Sequence, residues 1–342
     1  MGIKLAFMGS ATFALPSLNR LFEQGYDLTG VITQPDKPSG RGQALQAPPV
    51  KKRAFELHLP TYQPASLKTA ETQALIQALA PDIMVVVAYG KILPPWLLEL
   101  PRYGCINLHG SILPKYRGAA PVHWAIANGE RTTGVCTMLL DEGLDTGPVY
   151  LCRETDIGSD ESAVQLYDRL AEGGADVLVE TVTGVLNDTL KPRPQDESQA
   201  TFAPILKKEH GFIDWNMPAV EIHNRVRAFN PWPATVAKFR GVICKILKTT
   251  AGAVREAQAG ERAAVIDDRP QSDRPQSGAH RAPLQPGAIV ASKHSLAVVC
   301  GDGAMLEVLL IQPENRKAVS GIDFANGARI QSGEKFQSLM DN

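Results

Sequence analysis

The sequence predicts an α/β fold in which a first domain with a mostly parallel sheet precedes a smaller β-barrel domain, and three observations carry that expectation. Over the first 190 residues, short apolar runs alternate with segments of helical period. Near the middle of that stretch, Ile83-Met84-Val85-Val86-Val87 is an unbroken apolar run, as expected of a strand buried on both faces of a parallel sheet. Beyond residue 206 the pattern changes to short strands separated by Gly-containing turns, which reads as a small barrel. The 342 residues also suit about two domains at roughly 150 residues each.

In chain order, Ile3 to Met8 reads as the first strand. The Gly9, Ser10, Thr12 and Pro16 that interrupt the next apolar residues suit a turn into a helix from Pro16 to Gln24 better than a secretory signal core. Leu28 to Thr33 is the second strand. A helix over Leu67 to Leu79 leads into the central strand, Asp82 to Tyr89, and Cys105 to His109 follows it. A helix over Ala119 to Asn128 then precedes two strands, Val135 to Leu140 and Val149 to Ile157. Ser162 to Leu186 forms a long helix whose Ala163, Leu166, Leu170, Val177 and Val185 make a buried stripe. Residues 191–206, with Pro192, Pro194 and Pro204 around a polar middle, have the composition of an interdomain linker.

The second domain, residues 207–342, reads as strands at Gly211 to Trp215, Thr235 to Phe239, Val242 to Thr249, Ala288 to Ser292, Leu296 to Cys300 and Met305 to Ile311, with one helix around Val220 to Phe229. Within it, residues 251–287 contain a tandem pentapeptide, Asp268-Arg269-Pro270-Gln271-Ser272 and Asp273-Arg274-Pro275-Gln276-Ser277. So polar and turn-rich a stretch reads as a flexible insertion.

Composition narrows the function. Charged residues make up 21% of the chain and the net charge is −1, so no global basic field draws it to nucleic acid or an anionic membrane. The division is uneven. Residues 1–206 hold 17 Lys+Arg against 22 Asp+Glu, and residues 207–342 hold 18 against 14, which makes the second domain the better polyanion binder. Five scattered cysteines with no C-x-x-C pair argue against a disulfide framework and against zinc, and suit a reducing cytosol. No apolar run reaches the roughly 18 residues of a membrane span. No self-association segment stands out, which reads as a monomer.

The chemistry concentrates in two loops. Gly104 to Pro114 is an apolar strand that ends in a polar, Gly-containing, Pro-terminated loop, and Asn107 and His109 stand two apart on it. Period-two geometry puts both side chains on one face, at the carboxyl end where such sheets take ligands. An amide donor beside a proton-carrying imidazole suits nucleophilic addition to a carbonyl, where an oxyanion grows while the attacking group sheds a proton. The second loop, Asp141 to Pro148, has carboxylates at positions 141 and 145, either of which can fix the tautomer of His109 and stabilise its imidazolium. Taken singly, Asn107 also fits a strand-end cap, His109 a satisfied ring and Asp145 a turn residue.

A third stretch, Gln34 to Gly42 continuing to Lys51-Lys52-Arg53, has five basic residues and one acid and reads as a long exposed loop. The P-loop order is missing from it, and G-x-G-x-x-G is missing from the turn after the first strand.

Asn107 to Pro121 (Asn-Leu-His-Gly-Ser-Ile-Leu-Pro-Lys-Tyr-Arg-Gly-Ala-Ala-Pro), followed by Asp141 to Gly147, resembles the signature of the 10-formyltetrahydrofolate-dependent formyltransferases. The match covers nearly the whole chain apart from the insertion. The basic loop and the second domain place it with members that act on an aminoacylated tRNA. The resemblance implies a Rossmann-like formyltransferase domain and an OB-like barrel. It implies transfer of the formyl group of 10-formyltetrahydrofolate to the α-amino group of methionine on initiator tRNA, in the cytoplasm, without metal and without a covalent enzyme intermediate. By the same resemblance Asn107, His109 and Asp145 are the catalytic trio. Ser111, Ile112, Leu113 and Pro114 border folate, with Tyr89 and Gly90 nearby, while Arg41 and Lys37 meet the tRNA acceptor end. Lys207, Lys208, Arg225 and Arg227 are candidates to follow its phosphates. The chain departs at Gly110, where alanine is usual, and at Ile112, where leucine is commoner. The extra domain and basic loop weigh against single-domain and sugar-nucleotide formyltransferases, and the intact trio weighs against an idle RNA-binding protein.

Overall fold

The computed structural model describes residues 2–39, 44–250, 284–331 and 333–340. Arg41 and the tandem repeat, with most of the expected insertion, lie outside the described residues. The chain divides into two compact units: Met1–Ala125 with Arg131–Ile157 and Val164–Ile205, and Ile126–Glu130 with Gly158–Ala163 and Leu206–Asn342.

The first unit runs β1 (Lys4–Gly9), α1 (Leu15–Glu23), β2 (Asp27–Ile32), β3 (Lys37–Ser39), β4 (Ala44–Gln46), α2 (Pro49–Glu56), β5 (Thr61–Tyr62), α3 (Ala70–Leu79), β6 (Ile83–Val87), α4 (Pro95–Leu98), β7 (Cys105–His109), α5 (Pro121–Ala127), β8 (Thr132–Leu139), β9 (Val149–Asp156) and α6 (Ala163–Leu186). Its sheet has the order β5-β2-β1-β6-β7-β8-β9. The first five of these strands are parallel, β8 pairs antiparallel with β7, and β9 pairs antiparallel with β8. All five residues of β6 are buried, as its unbroken apolar run requires. The chain leaves β1 toward β2 on one side and returns to β6 on the other. That reversal opens a crevice beyond the carboxyl ends of the strands, which is where an α/β sheet takes its ligand.

Three expectations are corrected. The basic stretch after Gln34 is not one long loop, because β3 and β4 pair as a hairpin and Pro49–Glu56 is helical. Pro49 fits the first helical turn, where no amide hydrogen is needed. Gly211 to Trp215 is not a strand either. A 3-10 turn ends at Gly211, only Phe212 bridges to Val236, and the Asp214 carboxylate turns the chain by accepting the Asn216 amide hydrogen at 2.9 Å. Nor are all five cysteines free. Antiparallel pairing sets Cys136 directly opposite Cys152, Cα atoms 4.1 Å apart, and the two are disulfide-bonded. A cross-strand pair 16 residues apart leaves no spacing signature in the sequence. Cys105, Cys244 and Cys300 are free and buried.

Residues 191–205 hydrogen-bond within the first unit. Arg193 exchanges backbone bonds with Val149, and the Arg117 and Ala203 main chains bond to Thr201 and Arg117.

The second unit contains α7 (Ala219–Phe229), β10 (Thr235–Phe239), β11 (Val242–Thr250), β12 (Ile289–Ala291), β13 (Leu296–Val299), β14 (Met305–Pro313), β15 (Val319–Ser320) and α8 (Gly321–Ala328). Its antiparallel sheet has the order β10-β11-β14-β13-β12, with β15 on β14. The two edges meet through the C-terminal segment, where Lys335 bridges to Ala288 and Gln337 to Lys238. That bridging curls the sheet around a core that includes Trp215, Phe239, Leu306, Phe324 and Phe336.

Candidate active site

The carboxyl ends of β6 and β7 open onto a cleft of about 520 Å³. Asn107, His109, Asp145, Tyr89 and Gly90 all line it, so the structure gathers the sequence-predicted trio at one place. Asn107 and His109 share a face of β7 opposite Met138 and Cys136. Asn107 is only 8% exposed, and among the described residues no group hydrogen-bonds its amide. Asn107 lines the cleft, where its amide is free to donate.

His109 is 6% exposed and held from both sides. Its Nε2 lies 3.0 Å from the Tyr116 carbonyl. A carbonyl only accepts, so in this contact Nε2 carries the hydrogen and Nδ1 is left facing Asp145. Nδ1 faces Asp145 Oδ2 at 3.7 Å, and the same oxygen accepts the Gly118 amide hydrogen at 2.7 Å. The candidates at positions 141 and 145 are thereby told apart. Asp141 accepts from the Gly143 amide and the Thr146 hydroxyl and so closes its own loop, whereas Asp145 faces the imidazole.

Three of the left-handed non-glycine residues lie at or beside the cleft. Ala88, Tyr116 and Asp145 are non-glycine residues at φ +46°, +61° and +55°. Such conformations cost about 1–3 kcal/mol each and persist where surrounding contacts impose them. Gly118, at φ +119°, lets the chain pass the Ala203 carbonyl, which a Cβ there would meet at 2.7 Å. The turn at Ala88 is held by Ser10, whose amide donates to the Ala88 carbonyl at 3.3 Å, and by Gln34, whose side chain donates to the Tyr89 carbonyl.

The remainder of the cleft is mostly apolar, with Ile92, Leu93, Leu98, Leu140 and Leu144 among its walls. The Tyr89 hydroxyl is buried in the core behind the cleft without a partner, and burial pushes its pKa up to about 12. His123 also lines the cleft, and burial lowers its pKa. Sequence reasoning missed these walls, although the Ile92-Leu93 and Leu97-Leu98 pairs just after the central strand were a usable signal. Ser111 to Pro114 do not line this cleft. Ser111 is buried and donates to the Lys115 carbonyl at 2.6 Å, while Leu113 packs with Cys136 and Met138.

The basic candidates fall into two groups. Lys37, Lys207 and Lys208 are exposed, and Arg225 is half-buried. Arg227 is engaged inside its own unit, donating to the Gly158 and Glu161 carbonyls and to Asn224, and burial lowers its pKa. Among the described residues no cluster of three or more His, Cys, Asp or Glu is placed to hold a metal ion, and no helix is long and apolar enough to cross a membrane.

The chain is similar to known proteins over nearly its full length. Residues 3–182 match the family described as formyl transferase, and residues 205–329 match its C-terminal domain. Methionyl-tRNA formyltransferase of Solibacter usitatus is 44% identical over 333 residues, covering 97% of this chain and 98% of that protein. The protein of the same name from Trichlorobacter lovleyi is 41% identical, covering 97% and 96%. Among solved structures, an N-formyltransferase from Helicobacter canadensis, in complex with folinic acid and dTDP-3-aminofucose, superposes with a TM-score of 0.62. It is 18% identical over 91% of this chain and 99% of that one.

Proposed function

Because the chain belongs to the formyl transferase family across both matched regions, we propose that it transfers the formyl group of 10-formyltetrahydrofolate to the α-amino group of methionyl initiator tRNA. The observation that carries this reading is the convergence in one cleft of an unpaired amide, an imidazole of set tautomer and a facing carboxylate.

In this reaction the amine nitrogen bonds to the formyl carbon, and the tetrahedral intermediate then breaks its bond to N10 of the folate. The Asn107 amide donates to the oxyanion of that intermediate. His109 takes the amine's proton at Nδ1 while its Nε2–H stays on the Tyr116 carbonyl, and Asp145 stabilises the imidazolium. The proton ends on N10 of the departing tetrahydrofolate, so neither metal nor enzyme-bound acyl group is required.

The apolar walls suit a flat pterin ring, so Tyr89 and Gly90, which line the cleft, contact folate directly. Ser111 to Pro114 act from behind, by shaping the loop after β7. Arg41 and Lys37 meet the acceptor end, and Lys207, Lys208 and Arg225 follow the phosphates. Arg227 serves its own unit. The protein acts as a cytoplasmic monomer.

The test is formyl transfer from 10-formyltetrahydrofolate to methionyl initiator tRNA, with glycinamide ribonucleotide and a dTDP-3-amino sugar as parallel acceptors. Transfer to the tRNA alone is expected. Transfer to either small acceptor, or to none, would overturn the assignment.

A further inference from the structure

We propose that Gln195 is a positioning residue for Asp145, which makes the proline-rich segment after α6 part of the catalytic apparatus. The inference rests on the reaction proposed above.

Asp145 is held at φ +55°, a left-handed conformation that costs a non-glycine residue some energy, and its neighbours hold it there. Gly118 restrains its carboxylate. The restraint on its main chain is Gln195, whose Nε2 donates to the Asp145 carbonyl at 2.9 Å and to the Gly147 carbonyl at 2.7 Å. One amide thus uses both of its hydrogens to clamp the two carbonyls that flank Thr146.

The other end of the same amide is anchored. Gln195 Oε1 accepts from Arg117 Nε at 3.2 Å and from Nη2 at 2.8 Å. The Arg117 guanidinium is 2% exposed and is held in turn by Glu197 through bonds of 2.8 and 2.7 Å. That pairing raises the pKa of Arg117 and lowers that of Glu197, so both stay charged.

These contacts close a ring. The main chain at 116–118 supplies the Tyr116 carbonyl that holds His109 and the Gly118 amide that holds Asp145. The Arg117 side chain, through Gln195, ties that stretch to the backbone of Asp145 and Gly147. The 3.7 Å separation of His109 Nδ1 from Asp145 is therefore set by a loop whose far side is Gln195. That separation lies just beyond hydrogen-bond reach, so a shift of a few tenths of an ångström decides whether the carboxylate meets the imidazolium. Without the two donors, both carbonyls lose their partners and Asp145 relaxes out of the left-handed region, carrying its carboxylate away.

The discriminating variant is Gln195→Glu, which keeps oxygen acceptors for Arg117 and removes both donors. Its kcat for formyl transfer should fall about ten- to a hundredfold, with KM for both substrates within about twofold, because substrate contacts are untouched. Gln195→Met, which adds no charge, should lose kcat in the same way and serves if the glutamate variant does not fold. On an Asp145→Asn background either change should cost less than about twofold, since the group being positioned is already gone. Wild-type kcat in Gln195→Glu, a loss confined to KM, or a loss undiminished on the Asp145→Asn background would each overturn the proposal. Wild-type transfer to methionyl-tRNA is the baseline. Its absence defeats the proposed function, whereas its presence beside an indifferent Gln195→Glu defeats only this inference.

Discussion

Asn107 shows how function is bought at the scale of one residue. Its amide lines the cleft and meets no partner among the described residues, so it braces no other part of the chain. Asn107→Ala removes the proposed oxyanion donor and no protein contact of that amide. The variant should therefore melt close to wild type, while kcat falls on the order of a hundredfold or more. A drop of several degrees in Tm with near-normal kcat would mean that the amide supports the fold instead. Asn107 and His109 were legible in sequence because two positions on one strand share a face whatever surrounds them. The choice between Asp141 and Asp145 was not, because it depends on which carboxylate Gly143 and Thr146 occupy. Gln195 was invisible for a related reason: its partners lie 48, 50 and 78 residues away, and no period or spacing encodes them.

Elements were legible wherever burial imposes a period. The strands β1, β2, β6 and β7 fall within a residue or two of their expected bounds, as do α1, α6 and α7. Helix α2 escaped because its Lys51-Lys52-Arg53 centre reads as solvent-facing and only Val50 and Ala54 are buried. Helix α7 carries a prediction of its own. Its His223 is buried, with Nε2 on the Ser159 carbonyl at 3.3 Å and Nδ1 on the Thr249 hydroxyl at 3.0 Å. Burial lowers its pKa below 6.5, the Arg227 charge adds to that, and the Ser159 bond and Asp160 oppose it. As pH falls through 6.5 the unfolded chain takes up a proton that the folded chain refuses, so stability declines on the acid side. His123 shifts in the same direction. Melting curves from about pH 8 to pH 5 should show Tm falling below neutrality, and His223→Gln should flatten that slope. An unchanged slope in the variant would place the acid sensitivity elsewhere.

At the scale of the whole molecule, the change from a parallel to an antiparallel sheet was legible because each sheet type leaves its own hydrophobic pattern. The closure of the second sheet was not, since Lys335 and Gln337 lie in a polar tail with no strand signature. Charge follows the same division along the chain: residues 1–206 carry an excess of five acids and residues 207–342 an excess of four bases. If the second part holds the tRNA backbone, each phosphate it neutralises releases counterion. The logarithm of affinity should then fall against the logarithm of salt with a slope of about 0.7–0.9 per contact. Binding of methionyl initiator tRNA, titrated at several salt concentrations, should weaken steeply. The Lys207→Ala/Lys208→Ala double variant should reduce the slope by about one to two. Arg41→Ala should weaken tRNA binding and leave KM for 10-formyltetrahydrofolate unmoved, because the cleft proposed to take folate is lined mainly by apolar side chains. A flat salt response, or equal losses for tRNA and folate, would mean that these cations only solvate the surface. Recognition of the acceptor would then fall to the cleft itself.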